Sequence, residues 1–289
     1  MRAALIALVL SIPALGAEPP SLRMQPQRLV NGSAFLVTLR PAQAWRAARA
    51  TLDDERIFLD READGTWSGL GGVGFDAKPG RHELVVHAQL ESGKEGREGK
   101  EERFALPLDV EHAIRPRSQL QVPKQYVEPD PRILARVERE KKIKAELLTK
   151  VTTDRLFSGP FEPPVTVETS EGYGIERVFN GKRQSVHYGL DYRAPSGTPV
   201  SSINGGRVLM ARDFFYEGRC VAVDHGRGLI TLYLHLSKIE VKEGDRVEKG
   251  QRLGLSGGTG RATGPHLHLA VRWQGLYLDP ITLLALAPR

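Results

Sequence analysis

Gly264–Trp273 reads GPHLHLAVRW, and the same alternation runs through Gly228–Ser237, GLITLYLHLS. A strand repeats every two residues, so in the first stretch His266 and His268 share one face while Leu267, Leu269 and Val271 share the other. In the second, Ile230, Leu232, Leu234 and Leu236 fall on one face, and Thr231, Tyr233 and His235 on a polar face. Working outward, TPVSSI, GRVLMAR and CVAV are further strand-like runs bounded by Gly or Pro, and EVKEGDRVEKGQRLG supplies two more turns. The pattern predicts an all-β C-terminal domain over 161–289, with antiparallel sheets lining a groove and polar side chains from adjacent strands aimed into it.

Those side chains are metal-ligating types. His187 and Asp191, in HYGLD, are four apart, and Gly189 between them argues against a helix interior, so the segment is expected to be extended with both residues facing the cleft. Zinc in a hydrolase takes three ligands from His and Asp or Glu and keeps a fourth position for water, whose pKa falls from about 16 to roughly 7. With His235, His266 and His268 the chain offers more than enough donors.

Other histidines fail the same geometric test. HELVVH, from His82 to His87, looks like the zinc-protease H-E-x-x-H but has one residue too many; on a Val-rich strand the two rings point to opposite faces. His225 sits in DHGRG between CVAV and LITLYL and reads as part of a hairpin turn. The stretch GLSGGTGRATGPH lacks the Lys-Ser/Thr ending of a phosphate loop and leads into a strand, so its expected job is to let backbone pass close to the cleft.

In that order, and with Gly-rich hairpins between them, HxxxD, YxHL and GPHLH resemble the lysostaphin-type or LytM-type zinc metalloendopeptidases that cut peptidoglycan cross-links. The resemblance runs from about Phe161 to Pro280. It implies one zinc ion on His187, Asp191 and His268, with water completing the shell. It further implies that His266 and His235 are catalytic, His266 as general base and His235 polarising or stabilising a tetrahedral oxyanion. Tyr233, Asn180 and Thr259 are candidate residues of the substrate groove, with Asn180 expected near the groove but off the metal; cross-strand packing is an equal reading for Tyr233.

Upstream, Glu18 to Val110 shows short runs, SAFLVTL, ERIFLD, ELVVHAQL and RFALPLDV, separated by DGT, KPG and the charged ESGKEGREGKEE. This spacing predicts a small β-sandwich over 18–112, similar to the immunoglobulin-like domain that some exported family members carry. Residues 113–160 are expected to be a linker: extended from Ile114 to Pro131, then one amphipathic helix of about five turns that starts at Asp130-Pro131 and packs between the domains. Residues 1–17 read as a secretory signal, with Met1-Arg2, an apolar run to about Leu15 and small residues around the cleavage point. That run is shorter than the about 20 residues a bilayer requires. No cysteine is placed for a lipid anchor, and the single Cys220 cannot form an internal disulfide.

The net charge of +6 favours anionic partners such as cell-wall polymers or a membrane surface. Export and the lack of a recognition motif argue against nucleic acid. The function expected is thus an exported endopeptidase of the periplasm or cell exterior, acting on peptidoglycan peptide stems. The rival is a LytM-type regulator that activates other wall hydrolases, which should have lost a ligand; a wall-binding role for the sandwich is compatible with either. A direct D-alanyl cross-link and a glycine bridge are both open as the scissile bond. A short leader without an anchor or a repeated wall-binding domain points toward the former.

Overall fold

In the strand Glu101–Glu111, Phe104, Leu106, Leu108 and Val110 are buried while the residues between them face solvent, the alternation that a half-buried strand requires. This strand pairs along its length with Gly80–Leu90, in a sheet completed by Leu29–Val30, Trp45–Leu52 and Glu55–Ile57. A second sheet, ordered Ser21–Gln25, Ala34–Arg40, Trp67–Gly72 and Asp60–Arg61, lies against it. Trp45 of the first meets Trp67 of the second at 6.3 Å between ring centroids, and Phe104 stacks on Trp45 at 5.9 Å. His82 and His87 stand on the Gly80–Leu90 strand, neither in the metal-binding group found among the described residues, with His82 bonded to Asp53 and to the Lys78 carbonyl. The structure, a computed structural model, describes residues 18–91 and 100–288. The expected leader and most of the charged loop after Leu90 lie outside the described residues.

Within 113–160 the structure shows more order than an extended linker and a spacer helix. Arg117–Leu120 is a strand, pairing in parallel with Glu176–Phe179, which in turn pairs antiparallel with Arg183–Val186. The helix Pro131–Leu148 starts as expected, with Pro131 at its first position and the Asp130 side chain accepting from Arg132 N. It does not sit between the domains. Leu148, Leu147 and Ile143 are drawn instead onto Met210, Phe214 and Cys220, an apolar patch on the outer face of the C-terminal sheet. Burying that patch outweighs any use of the helix as a spacer. Glu140 adds a polar tie by accepting from Phe215 N at 2.9 Å.

The C-terminal domain is built on a large antiparallel sheet, ordered Thr169–Glu171, Leu190–Tyr192, Leu267–Trp273, Leu229–Leu236, Gly218–Gly226, Gly206–Phe214 and Arg246–Val247. Its inner face (Leu267, Leu269, Val271, Val221, Val223) joins one apolar core that continues into the sandwich. Asp60 of the sandwich also meets Arg227 and Arg155, at 2.6 and 3.4 Å. A short helix, Pro280–Leu284, capped by Asp279, adds to the elements expected from the sequence.

Candidate metal centre

Asp191 and His268 meet because their strands pair antiparallel with these two residues directly opposite one another. Opposed residues on neighbouring strands share a face and make the closest side-chain contacts. His187 follows the strand Arg183–Val186, in the short connection to Leu190–Tyr192, and its ring enters the same cleft. His266 lies one residue ahead of its strand, with its backbone N–H on Gly257 O at 2.9 Å.

The alternation of GLITLYLHLS is where the sequence reading fails. Thr231 and Tyr233 turn inward, not into the cleft: Tyr233 is fully buried, its hydroxyl accepting from Ile203 N at 2.9 Å and lying 3.1 Å from Thr231 Oγ1. Leu232 and Leu234 line the cleft instead. His235 reaches it because the pairing with Gly218–Gly226 slips between Arg219 and Val221 and because His235 takes a φ of 63°. The bulge puts Leu234 and His235 on the cleft side in succession and returns Leu236 to the core. One extra residue in a strand re-aims the side chains beyond it, and a left-handed φ on a residue other than glycine is held only where the surroundings over-determine it.

Three atoms converge in the cleft. His187 Nε2 lies 3.0 Å from Asp191 Oδ1 and 2.9 Å from His268 Nδ1, and the last two are 2.7 Å apart. His187 Nδ1 donates to Gly172 O at 2.6 Å, so its Nε2 faces the others as a lone pair. All three residues are buried. Electron pairs crowded around one point repel unless a cation shares them, and two imidazole nitrogens with a carboxylate oxygen are a donor set suited to zinc. Among the described residues this is the group of His, Cys, Asp and Glu placed to hold a metal. Burial opposes ionisation of Asp191, but the adjoining His187 and His268 rings hold its carboxyl far below the usual range. Burial pushes His268 down to about 4 and His235, with His266 and His268 adjoining, to about 3, so both rings are neutral near pH 7, the state a ligand or a base requires.

Residues 185–280 match peptidase family M23. This stretch is an M23 peptidase domain. The chain is 54% identical over 87 residues to the peptidoglycan DD-endopeptidase ShyA of Vibrio cholerae, covering 30% of this chain and 20% of that protein. It is 38% identical over 130 residues to the DD-carboxypeptidase/endopeptidase Mpg of Neisseria meningitidis, covering 44% and 29%. The matched stretch thus spans less than a third of the length of these curated relatives. A solved structure described as a peptidase M23 from Pseudomonas aeruginosa superposes with a TM-score of 0.65 at 29% identity, over 89% of this chain and 96% of that one. That likeness takes in the sandwich as well as the M23 domain.

Beside the three converging residues of the M23 domain, the His235 and His266 rings lie tilted against each other with centroids 4.7 Å apart, and His266 Nε2 lies 4.0 Å from Asp191 Oδ1. His235 Nδ1 donates to Thr259 O and His266 Nδ1 to Gly264 O, both at 2.8 Å, leaving each Nε2 as the atom able to take a proton. Thr259 therefore serves His235 through its carbonyl; its hydroxyl is engaged with Arg219 N and Leu236 O. Asn180 accepts from Val122 N and donates to Val122 O, fastening the linker beside a cavity that Val122 and Phe179 line, and it is not among the metal-binding group. His225, expected in a turn, is wholly buried at the end of its strand and bonded to Gly205 O and Thr231 Oγ1.

Two cavities, about 460 and 220 Å³, flank the centre. Arg261, from the Gly-rich stretch, stands between them with its guanidinium 4.5 Å from the Phe179 ring and 5.0 Å from that of Tyr216. Sequence reasoning missed Arg177, whose Nη2 donates to Asp191 Oδ2 at 2.5 Å and whose Nε donates to Glu171 Oε2 at 2.7 Å. The signal is faint: a basic residue on the short run ERVF, ten positions ahead of His187.

Proposed function

We propose that the chain is an exported, zinc-dependent endopeptidase that hydrolyses peptide cross-links of peptidoglycan, holding one zinc ion on His187, Asp191 and His268. The observation that carries this reading is the convergence of three buried donor atoms beside two histidines whose Nδ1 protons are already committed to backbone carbonyls. Zinc bound there supplies Lewis-acid chemistry, acidifying water and polarising a carbonyl. The chain's own residues supply the proton handling. His266 Nε2, facing the centre, is placed to accept a proton from water, and its Gly264 bond fixes the tautomer that can do so. His235, neutral and buried, must first gain a proton at Nε2 before it can donate to a developing oxyanion.

The names of the relatives support a peptidoglycan peptide as the substrate class, with the direct D-alanyl cross-link as the bond cut. The apolar run over 3–15 supports export, and residues 18–112 are read as a separately named sandwich domain ahead of the peptidase. A regulator without catalysis should lack a ligand, and here the ligand set is intact. Digestion of purified dimeric muropeptides, directly cross-linked and glycine-bridged, followed by mass spectrometry, tests the reading. Release of monomers from the directly linked dimer is expected; intact dimers of both kinds after incubation with zinc-loaded protein would sink it.

A further inference from the structure

We propose that Arg177 is a positioning residue for the metal centre: by holding Asp191 Oδ2 it fixes the carboxylate with Oδ1 turned toward the two histidines, and so sets how tightly zinc is bound. A carboxylate on a short side chain turns through broad, nearly two-fold wells about its last torsion. Left alone, the Asp191 group would spread over orientations that aim neither oxygen at the centre. Arg177 Nη2 takes Oδ2 at 2.5 Å, and Nε anchors the same guanidinium on Glu171 Oε2 at 2.7 Å. A planar guanidinium with donors in a fixed fork transmits orientation from one carboxylate to the other, which a lysine cannot do.

The support continues behind Arg177. Its strand, Glu176–Phe179, is clamped between Arg183–Val186 and the linker strand Arg117–Leu120. The connection between the sandwich and the peptidase domain therefore helps to place a ligand it never touches. Arg177 and Glu171 both precede the stretch that matches peptidase family M23. The side chains of Arg177 and Asp191 are 16% and 7% exposed, so water competes little for this contact.

Charge and geometry make opposite forecasts here. Removing a cation beside a cation site should strengthen metal binding by Coulomb's law, whereas loss of a group that orients a ligand weakens it, typically 10–100-fold. The inference rests on the zinc reading of His187, Asp191 and His268, and chelator competition on the full-length chain separates the two. Wild-type protein should bind zinc, Arg177→Gln should bind it about 10–100-fold more weakly, and Arg177→Lys, which restores the charge without the fork, should not recover the wild-type constant. Arg193→Gln removes a positive charge from the same cavity without a bond to Asp191, and should leave the constant unchanged or tighter. Cobalt(II) spectra should shift in Arg177→Gln and not in Arg193→Gln. If Arg177→Gln does not fold, Glu171→Gln, which removes only the anchor, should still weaken zinc binding several-fold. Wild-type protein without zinc affinity overturns the metal reading itself. Wild-type zinc binding with an unchanged or tighter constant in Arg177→Gln, or in Glu171→Gln where that variant substitutes for it, overturns the positioning role alone.

Discussion

Gly189 has no side chain because His268 occupies its place: a Cβ on Gly189 would stand 2.4 Å from His268 Nε2 and 2.6 Å from Leu269 O. The glycine is therefore a packing requirement of the metal centre, beyond its reluctance to sit in a helix. Gly189→Ala must push the His268 ring aside or spread the neighbouring strands, and overpacking of this kind costs about 1–3 kcal/mol. Urea unfolding should show that loss, and zinc affinity should fall with it. An alanine variant with wild-type stability and affinity would mean that the ring and strand relax freely.

The two histidines of HLHL should behave differently on substitution. His268→Ala is expected to lose both bound zinc and cleavage, while His266→Ala should keep the metal and lose cleavage by about 10²-fold or more, the usual scale for a general base. Metal analysis alongside muropeptide digestion reads both quantities. Full activity in His266→Ala would assign the base elsewhere, with His235 the next group to test.

Tyr233 gives a prediction that separates packing from catalysis. Tyr233→Phe leaves Ile203 N–H buried without its acceptor, at a cost of about 1–3 kcal/mol, while the rate of the folded enzyme should stay within a few-fold of wild type. A large drop in kcat at unchanged stability would place the hydroxyl in the groove after all.

The acid limb of stability should carry a signature of His225, which lies outside the metal centre. Burial pushes its imidazole down to about 4, whereas an unfolded histidine titrates near about 6.5. Between these values the unfolded chain takes up a proton that the native state refuses. The contribution is whole above about pH 6.5 and is lost as pH falls toward 4, on the order of 3 kcal/mol across the window. Unfolding free energies of metal-free wild-type protein and His225→Gln at several pH values should show the shallower decline in the variant. Parallel curves would count against the depressed pKa.

How far the sequence can be read depends on which kind of information each feature needs. In GPHLHLAVRW the strand period is unbroken from Leu267 to Val271, so spacing alone assigns His268 to the cleft face. In GLITLYLHLS a bulge at Leu234–His235, opposite the step from Arg219 to Val221, breaks the period, so counting back from His235 puts Tyr233 on the cleft face although it packs in the core. The extra residue shows only as a slip in pairing with the neighbouring strand, and no local period records it. The helix start at Asp130-Pro131 is legible because caps are local, but its docking site on Met210 and Phe214 depends on residues far along the chain. Arg177 escapes notice for the same reason, since what marks it is the Asp191 carboxylate fourteen residues away.

The central claim, that His187, Asp191 and His268 together hold one catalytic zinc ion, is tested most directly by native mass spectrometry of the full-length chain titrated with zinc, read beside cleavage of a directly cross-linked muropeptide dimer. The account predicts one zinc per wild-type chain, none retained by Asp191→Ala or His268→Ala, and cleavage that rises with zinc occupancy and disappears on chelation. Cleavage that survives complete removal of zinc, or stoichiometric zinc binding that persists in Asp191→Ala and His268→Ala, would contradict it.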